Sequence, residues 1–325
     1  APRLPLGFWL VAWCVVSLGA TTVHGQAKDN PWARVSAPST GEASPIGEYT
    51  SGCLRGASQL PLDGPGYQVM HPGRLRYFGH PELVTFIQQL GQAIRGEKLG
   101  DLMVGDLSQP RGGPAPGGHS SHQTGLDVDL WFWQPPAAAR GPLPRADRDS
   151  TKARSVLDPK TSTIKADESA RTLSLLRLTA TDTHVARIFV HPIIKRDACK
   201  AAGTADRSWL HKLRPWFGHD DHFHVRLECP PNAVDCVVQS PVPQGDGCGE
   251  LDWWFSPEAQ ADRAKGQAKY QAKVGKAPGM PKLCATLLDK PVPVPVAHAD
   301  ERAAAPAKPG LQAATATAAA TATTP

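Results

Sequence analysis

The chain has no Cys-x-x-Cys pair among its seven cysteines, so a cysteine-rich zinc module is not its reading. Aromatics make up only 6% of the residues, and no run of arginine and lysine is interleaved with them. A nucleic-acid surface is therefore not indicated. Past residue 25, no apolar stretch approaches the roughly 20 residues that cross a bilayer. No internal repeat is present. The segment Gly118-His119-Ser120-Ser121-His122 lacks the second glycine of a serine nucleophile elbow, and no Ser-x-x-Lys spacing supports a β-lactam-reactive serine. A net charge of +5 is mild and needs no explanation beyond solubility.

What is present begins with an export signal. Residues 1–25 open on a short basic start and continue through an apolar run from Leu6 to about Ala20. Small and polar residues follow, the pattern of a secretory signal peptide. Cys14 lies inside the run behind the bulky Trp13, which argues against lipid attachment and against a stable membrane anchor after signal removal. Six cysteines then remain, and an even number in an exported chain favours three disulfides. Cys229 and Cys236 are close enough to close a small loop, whereas spacing does not fix the other pairings. Residues 291–325 are built from Pro, Ala and Thr and read as a disordered tail. The folded part is expected at 35–290, as one domain.

Two helices are expected. Pro81 and Glu82 open one whose Leu83, Phe86, Ile87, Leu90, Ala93 and Ile94 recur at helical spacing up to Gly96. The other runs from about Asp167 to Ala180. Short strands are expected at Leu102–Leu107, Leu126–Leu130, Val185–Val190 and His222–Leu227. Residues 134–165 read as an insertion or surface loop. The fold class is α+β, with a small antiparallel sheet flanked by helices and long loops.

The chemistry sits in two histidine-acid clusters, Gly118–Asp129 and His219–Leu227. Strand alternation sends Leu126, Val128 and Leu130 to one face and Asp127 and Asp129 to the other. In the second cluster Phe223, Val225 and Leu227 face one way, and His222, His224 and Arg226 the other. Were the two strands neighbours, imidazoles and carboxylates would converge on a donor set suited to zinc. Solvated polar faces on two edge strands are the bland alternative, and five histidines in two short windows weigh against it.

The spacing His122-x6-Asp129 followed by His222-x-His224 resembles the zinc peptidases grouped with lysostaphin, the D-Ala-D-Ala metallopeptidases and the hedgehog domain. More closely, the chain resembles the penicillin-insensitive murein endopeptidases. The likeness covers about residues 45–285 and includes Tyr67-Gln-Val-Met, Tyr77-Phe-Gly-His-Pro-Glu-Leu-Val, Pro110-Arg-Gly-Gly, Arg187-Ile-Phe-Val and Arg214-Pro-Trp-Phe. It implies one zinc held by His122, Asp129 and His224, with His119 at the metal or donating from behind a ligand. His219 and His222 match two further active-site histidines, and His222 is the first choice for proton transfer. Asp127 would orient a ligand histidine. Arg226 and Arg111 are candidates for holding substrate carboxylates, with structural pairing the alternative for each. The resemblance also implies disulfides Cys53–Cys284, Cys199–Cys248 and Cys229–Cys236. Some members hold a second metal; here Asp158 matches the acid but Thr161 stands in place of the histidine, so one zinc is expected. The implied activity is cleavage of the D-alanyl–diaminopimelyl cross-bridge of murein in the periplasm. A D,D-carboxypeptidase of the same group and a non-catalytic zinc-containing wall-binding protein share the ligand pattern.

Overall fold

A computed structural model of the protein describes residues 30–117, 120–273 and 279–289. The expected signal at 1–25, the expected tail at 291–325 and His119 lie outside the described residues. Seven strands form the main sheet: β1 (Asp63–Gly64), β2 (Tyr67–Val69), β3 (Leu102–Val104), β4 (Asp127–Trp131), β5 (Val185–Val190), β6 (Leu213–Pro215) and β7 (His222–Leu227). Their order across the sheet is β6-β5-β7-β4-β3-β2-β1.

The sheet is mixed, which corrects the expectation of a small antiparallel one. β2 pairs with β3, and β5 with β6, in parallel. The remaining pairs are antiparallel. Each parallel pair is bridged by a helical crossover, as parallel neighbours require. Helix α1 (Pro81–Gly96) follows β2, and α4 (Pro192–Ala202) follows β5. The described residues also include α2 (Arg145–Ser150), α3 (Ala166–Thr181), α5 (Pro257–Lys273) and α6 (Lys282–Leu288).

Local chemistry explains α1. Pro81 fits the first turn, where no backbone donor is needed, and the His80 ring accepts from the Glu82 amide at 3.3 Å. Leu83, Phe86, Ile87, Leu90 and Ile94 are buried along one stripe. They pack on the apolar face of the sheet, where Val128, Leu130, Phe223, Val225 and Leu227 are fully buried. Each such side chain contributes about 1.5–3 kcal/mol on leaving water. In α3 the buried stripe runs through Thr172, Leu175, Leu176, Thr179 and Ala180.

Residues 134–165 are more than a surface loop. They contain α2 and a small β-hairpin, and they bury Leu143, Arg148 and Val156. Leu143 and Ala138 join Met70, Met103 and Trp131 in an apolar cluster of their own. The three expected disulfides are present as Cys53–Cys284, Cys199–Cys248 and Cys229–Cys236. The first ties α6 to the hairpin Ser44–Glu48/Ser51–Arg55.

Candidate metal centre

β4 and β7 are antiparallel neighbours, with His224 opposite Asp129, Arg226 opposite Asp127 and His222 opposite Trp131. Residues directly opposite in such a pair share a face. The apolar side chains between them go to the core, so the alternation read from each strand becomes one polar surface.

His122 arrives on this surface from a glycine-proline loop, Arg111-Gly-Gly-Pro-Ala-Pro-Gly-Gly, that precedes it in the chain. Its backbone is left-handed, φ 66°, a conformation that costs a non-glycine residue on the order of 1–3 kcal/mol. The loop is pinned on both sides of that strain. The His122 amide donates to Asp127 Oδ2 at 3.3 Å. Gln123 Nε2 donates to the carbonyls of Thr50 and Ser120, and its Oε1 accepts from the Gly52 amide.

The ligand atoms of His122, Asp129 and His224 all lie within 4.8 Å of one another. His122 Nε2 is 3.3 Å and His224 Nδ1 3.0 Å from Asp129 Oδ1. All three residues are buried, at 2%, 5% and 4% exposure. Burial disfavours a charged imidazole at His122, but Asp129, Asp127 and Asp106 outweigh it and raise the group above its ordinary value. Two imidazoles converging on one carboxylate form a donor set that fits a borderline divalent cation such as zinc.

Asp127 stands behind this set. Its Oδ1 is 2.7 Å from His224 Nε2 and accepts from Arg226 Nε at 2.6 Å. Burial alone would push the Asp127 carboxyl up. The Arg226 guanidinium and the His224 ring reverse that and hold it well below the usual carboxylate range. Arg226 is itself fixed: its guanidinium carbon sits 3.9 Å from the centre of the Tyr49 ring, and Nη1 donates to Gln239 Oε1 at 3.0 Å. Burial and the Asp127 charge push the Tyr49 hydroxyl up to about 12.

Both candidate substrate arginines stand in structural pairing, the alternative held open for each. Arg226 is buried and spent on Asp127. Arg111 is 1% exposed, and its guanidinium donates to the carbonyls of Ala37, Leu287 and Leu288. It braces the end of α6 and offers no face to a substrate carboxylate.

His222 and His219 flank the cluster. His222 Nε2 lies 3.7 Å from Asp129 Oδ1, while Nδ1 is 2.5 Å from Asp221 Oδ1. Burial opposes its charge, but Asp129 and Asp221 raise it to about 9. The His219 ring is centred 5.0 Å from His222 and 6.1 Å from His224. Burial first, then the two neighbouring imidazoles, lower it to about 3. Its Nδ1 is 3.3 Å from the Phe217 carbonyl, which can only accept, so Nδ1 carries the hydrogen.

Asp221 was not singled out from sequence. Strict alternation would place it opposite His222, but it precedes β7 and its side chain bends back to the ring. Asp158 and Thr161 sit in the small hairpin, where Asp158 accepts from the Lys160 amide. One Ser-x-x-Lys spacing does occur, contrary to the sequence expectation: Ser162-Thr163-Ile164-Lys165 runs through that hairpin, and Lys165 Nζ donates to the Ser155 carbonyl. Trp209 is buried, whereas Trp216 and Trp253 are exposed at 57% and 47%.

The chain matches known proteins over most of its length. The family model described as penicillin-insensitive murein endopeptidase matches residues 45–289. A protein of that name from Yersinia enterocolitica is 38% identical over 289 residues, 85% of this chain and 97% of its own length. Proteins of the same name from Haemophilus influenzae and Klebsiella pneumoniae are 42% and 43% identical, covering 80% and 72% of this chain and 88% and 84% of their own. The matched segment contains both histidine-acid clusters and all six disulfide cysteines, and the chain belongs to the penicillin-insensitive murein endopeptidase family.

Proposed function

We propose that this protein is a zinc-dependent murein endopeptidase that hydrolyses the D-alanyl–diaminopimelyl cross-bridge of peptidoglycan. The observation that carries the reading is the buried His122–Asp129–His224 set inside a segment matched to this family across 45–289. The relatives' names supply the substrate class. Residues 1–25 would export the chain to the periplasm, 35–290 would form the peptidase domain and 291–325 a tail. No helix among the described residues is long and apolar enough to cross a membrane.

His122, Asp129 and His224 would hold one zinc ion, with His119 beside them or behind. When bound, zinc supplies Lewis acidity, which polarises a peptide carbonyl and makes water ionisable near neutral pH.

The chain's own groups do the rest. Asp127 accepts the Nε2 hydrogen of His224, fixing the tautomer that turns Nδ1 toward Asp129. Arg226 keeps Asp127 ionised for that task. Asp221 takes the Nδ1 hydrogen of His222 and points Nε2 at the cluster. His222 is thus placed to take a proton from water and return it to the leaving amine. Beside a cation it would release that proton more readily than its raised value of about 9 implies. His219 stays neutral, donates Nδ1–H to Phe217 and leaves Nε2 as an acceptor on the substrate side. Hydrolysis in this way forms no acyl-serine, the species that β-lactams trap, which accounts for insensitivity to penicillin.

The test is His222→Ala, measured for zinc content and for cleavage of cross-linked muropeptides. The variant should keep the metal and lose at least about 100-fold in kcat. Full cleavage with the metal retained would remove His222 from the proton-transfer role.

A further inference from the structure

With Arg226 and Arg111 both buried, a different guanidinium stands open beside the metal centre. Asp106 follows β3, and its carbonyl accepts from the Asp129 amide at 3.0 Å. Its carboxylate, 4% exposed, accepts from Arg76 Nη1 at 2.7 Å and from Arg74 Nη1 at 3.4 Å to each oxygen. Arg76 is 11% exposed and also binds the Pro116 carbonyl of the glycine-proline loop. Arg74 is 48% exposed. Of the two guanidiniums on this carboxylate, Arg74 is the one that meets solvent.

The turn that carries Arg74 is strained and braced. His71 and Leu75, both with φ 54°, bracket the single helical turn Pro72–Arg74. Left-handed backbone at two non-glycine residues costs on the order of 1–3 kcal/mol each, and such strain persists where the surroundings enforce it. Here α2 and the segment around it enforce it. The Gly73 amide donates to Asp149 Oδ1 at 2.8 Å, and the His71 amide donates to the Arg148 carbonyl. The His71 ring rests 5.7 Å from that of Trp131, the residue opposite His222. The turn is thereby fixed against the catalytic face.

We propose that Arg74 is a substrate-binding residue that receives a carboxylate of the peptide being cut. The inference rests on the murein reading above, because it supplies the anion: a diaminopimelyl cross-link carries a free carboxylate on the carbon bearing the scissile nitrogen. Asp106 lies one strand step, ~4.8 Å, from Asp129. A charge-assisted contact needs about 2.8 Å. On this proposal, a carboxylate on the carbon bearing the scissile nitrogen of a peptide held at the cluster lies against the Arg74 guanidinium, which Asp106 holds beside β4. The 3.4 Å contacts of Arg74 to Asp106 are long beside the 2.7 Å contact of Arg76. Arg76 can hold Asp106 while Arg74 turns to the substrate.

The experiment compares two cross-linked muropeptide dimers, one with that carboxylate free and one with it amidated. kcat/KM is measured for zinc-loaded wild type, Arg74→Gln and Arg74→Lys, with zinc content and Tm checked for each. Wild type should prefer the free acid by roughly 10- to 100-fold, the worth of a hydrogen bond to a charged group. That ratio should collapse to about one in Arg74→Gln, chiefly through KM, and recover in part in Arg74→Lys. A variant that slows both dimers equally, or a wild type with no preference, assigns Arg74 a purely structural role and overturns the proposal. Wild type cleaving neither dimer would overturn the murein reading and this inference with it.

Discussion

The imidazole of His224 lies between two carboxylates of the same strand, with Nδ1 3.0 Å from Asp129 and Nε2 2.7 Å from Asp127. One carboxylate belongs to the proposed ligand set and the other, locked to Arg226, decides which ring nitrogen is free to ligate. Asp127→Asn should therefore weaken zinc binding by about 10- to 100-fold without removing a ligand. Competition against a chelator of known affinity measures this. Unchanged affinity would mean that Asp127 does not orient the ring.

The ligands themselves should behave differently. His122→Ala, Asp129→Ala and His224→Ala are each expected to abolish metal retention after dialysis. Added zinc should raise the Tm of wild type, because a ligand that binds only the folded state stabilises it, and should leave that of the three variants unmoved. Stoichiometric zinc in any of them would remove that residue from the set.

His222 gives a pH signature in the chelator-treated protein. Its folded value of about 9 exceeds the ordinary 6.5, so the fold favours the charged ring. The contribution is complete below pH 6.5 and is lost as pH rises through about 9. The difference corresponds to on the order of 3 kcal/mol. Denaturation of wild type and His222→Gln should show a stability gap at pH 6 that narrows by pH 10. A gap that is constant across this range would contradict the assigned environment.

Arg111 should act on stability and not on substrate. Arg111→Met strands the carbonyls of Ala37, Leu287 and Leu288. A loss on the order of 2–4 kcal/mol is expected, read by denaturation, with KM for carboxylate-bearing muropeptides little changed. An unchanged Tm with a raised KM would restore the substrate role.

The strands that carry the site were legible in the sequence because period-two alternation is strong where one face is buried. Val128 and Phe223 went to the apolar core face, and Asp129 and His224 to the polar face. The stripe of α1 was legible for the same reason at helical period. The mixed sheet was not, since strands as short as β1, β2, β3 and β6 hold too few residues to alternate. Helix α4 was hidden by Lys195, a fully buried lysine whose Nζ donates to the Leu210 carbonyl and interrupts the apolar stripe. Burial of Arg111 and Arg226 was equally invisible, because their partners Leu287 and Asp127 lie 176 and 99 residues away. Asp221 escaped because it sits one residue before alternation begins.

The most direct measurement of the central claim is mass spectrometry of a defined cross-linked muropeptide dimer, incubated with zinc-loaded protein and with protein stripped by chelator. The zinc-loaded protein should split the dimer at the D-alanyl–diaminopimelyl bond, with or without penicillin, and the stripped protein should leave it intact until zinc is restored. Equal cleavage by the stripped protein, or release of a terminal D-alanine with the cross-link intact, would contradict the account.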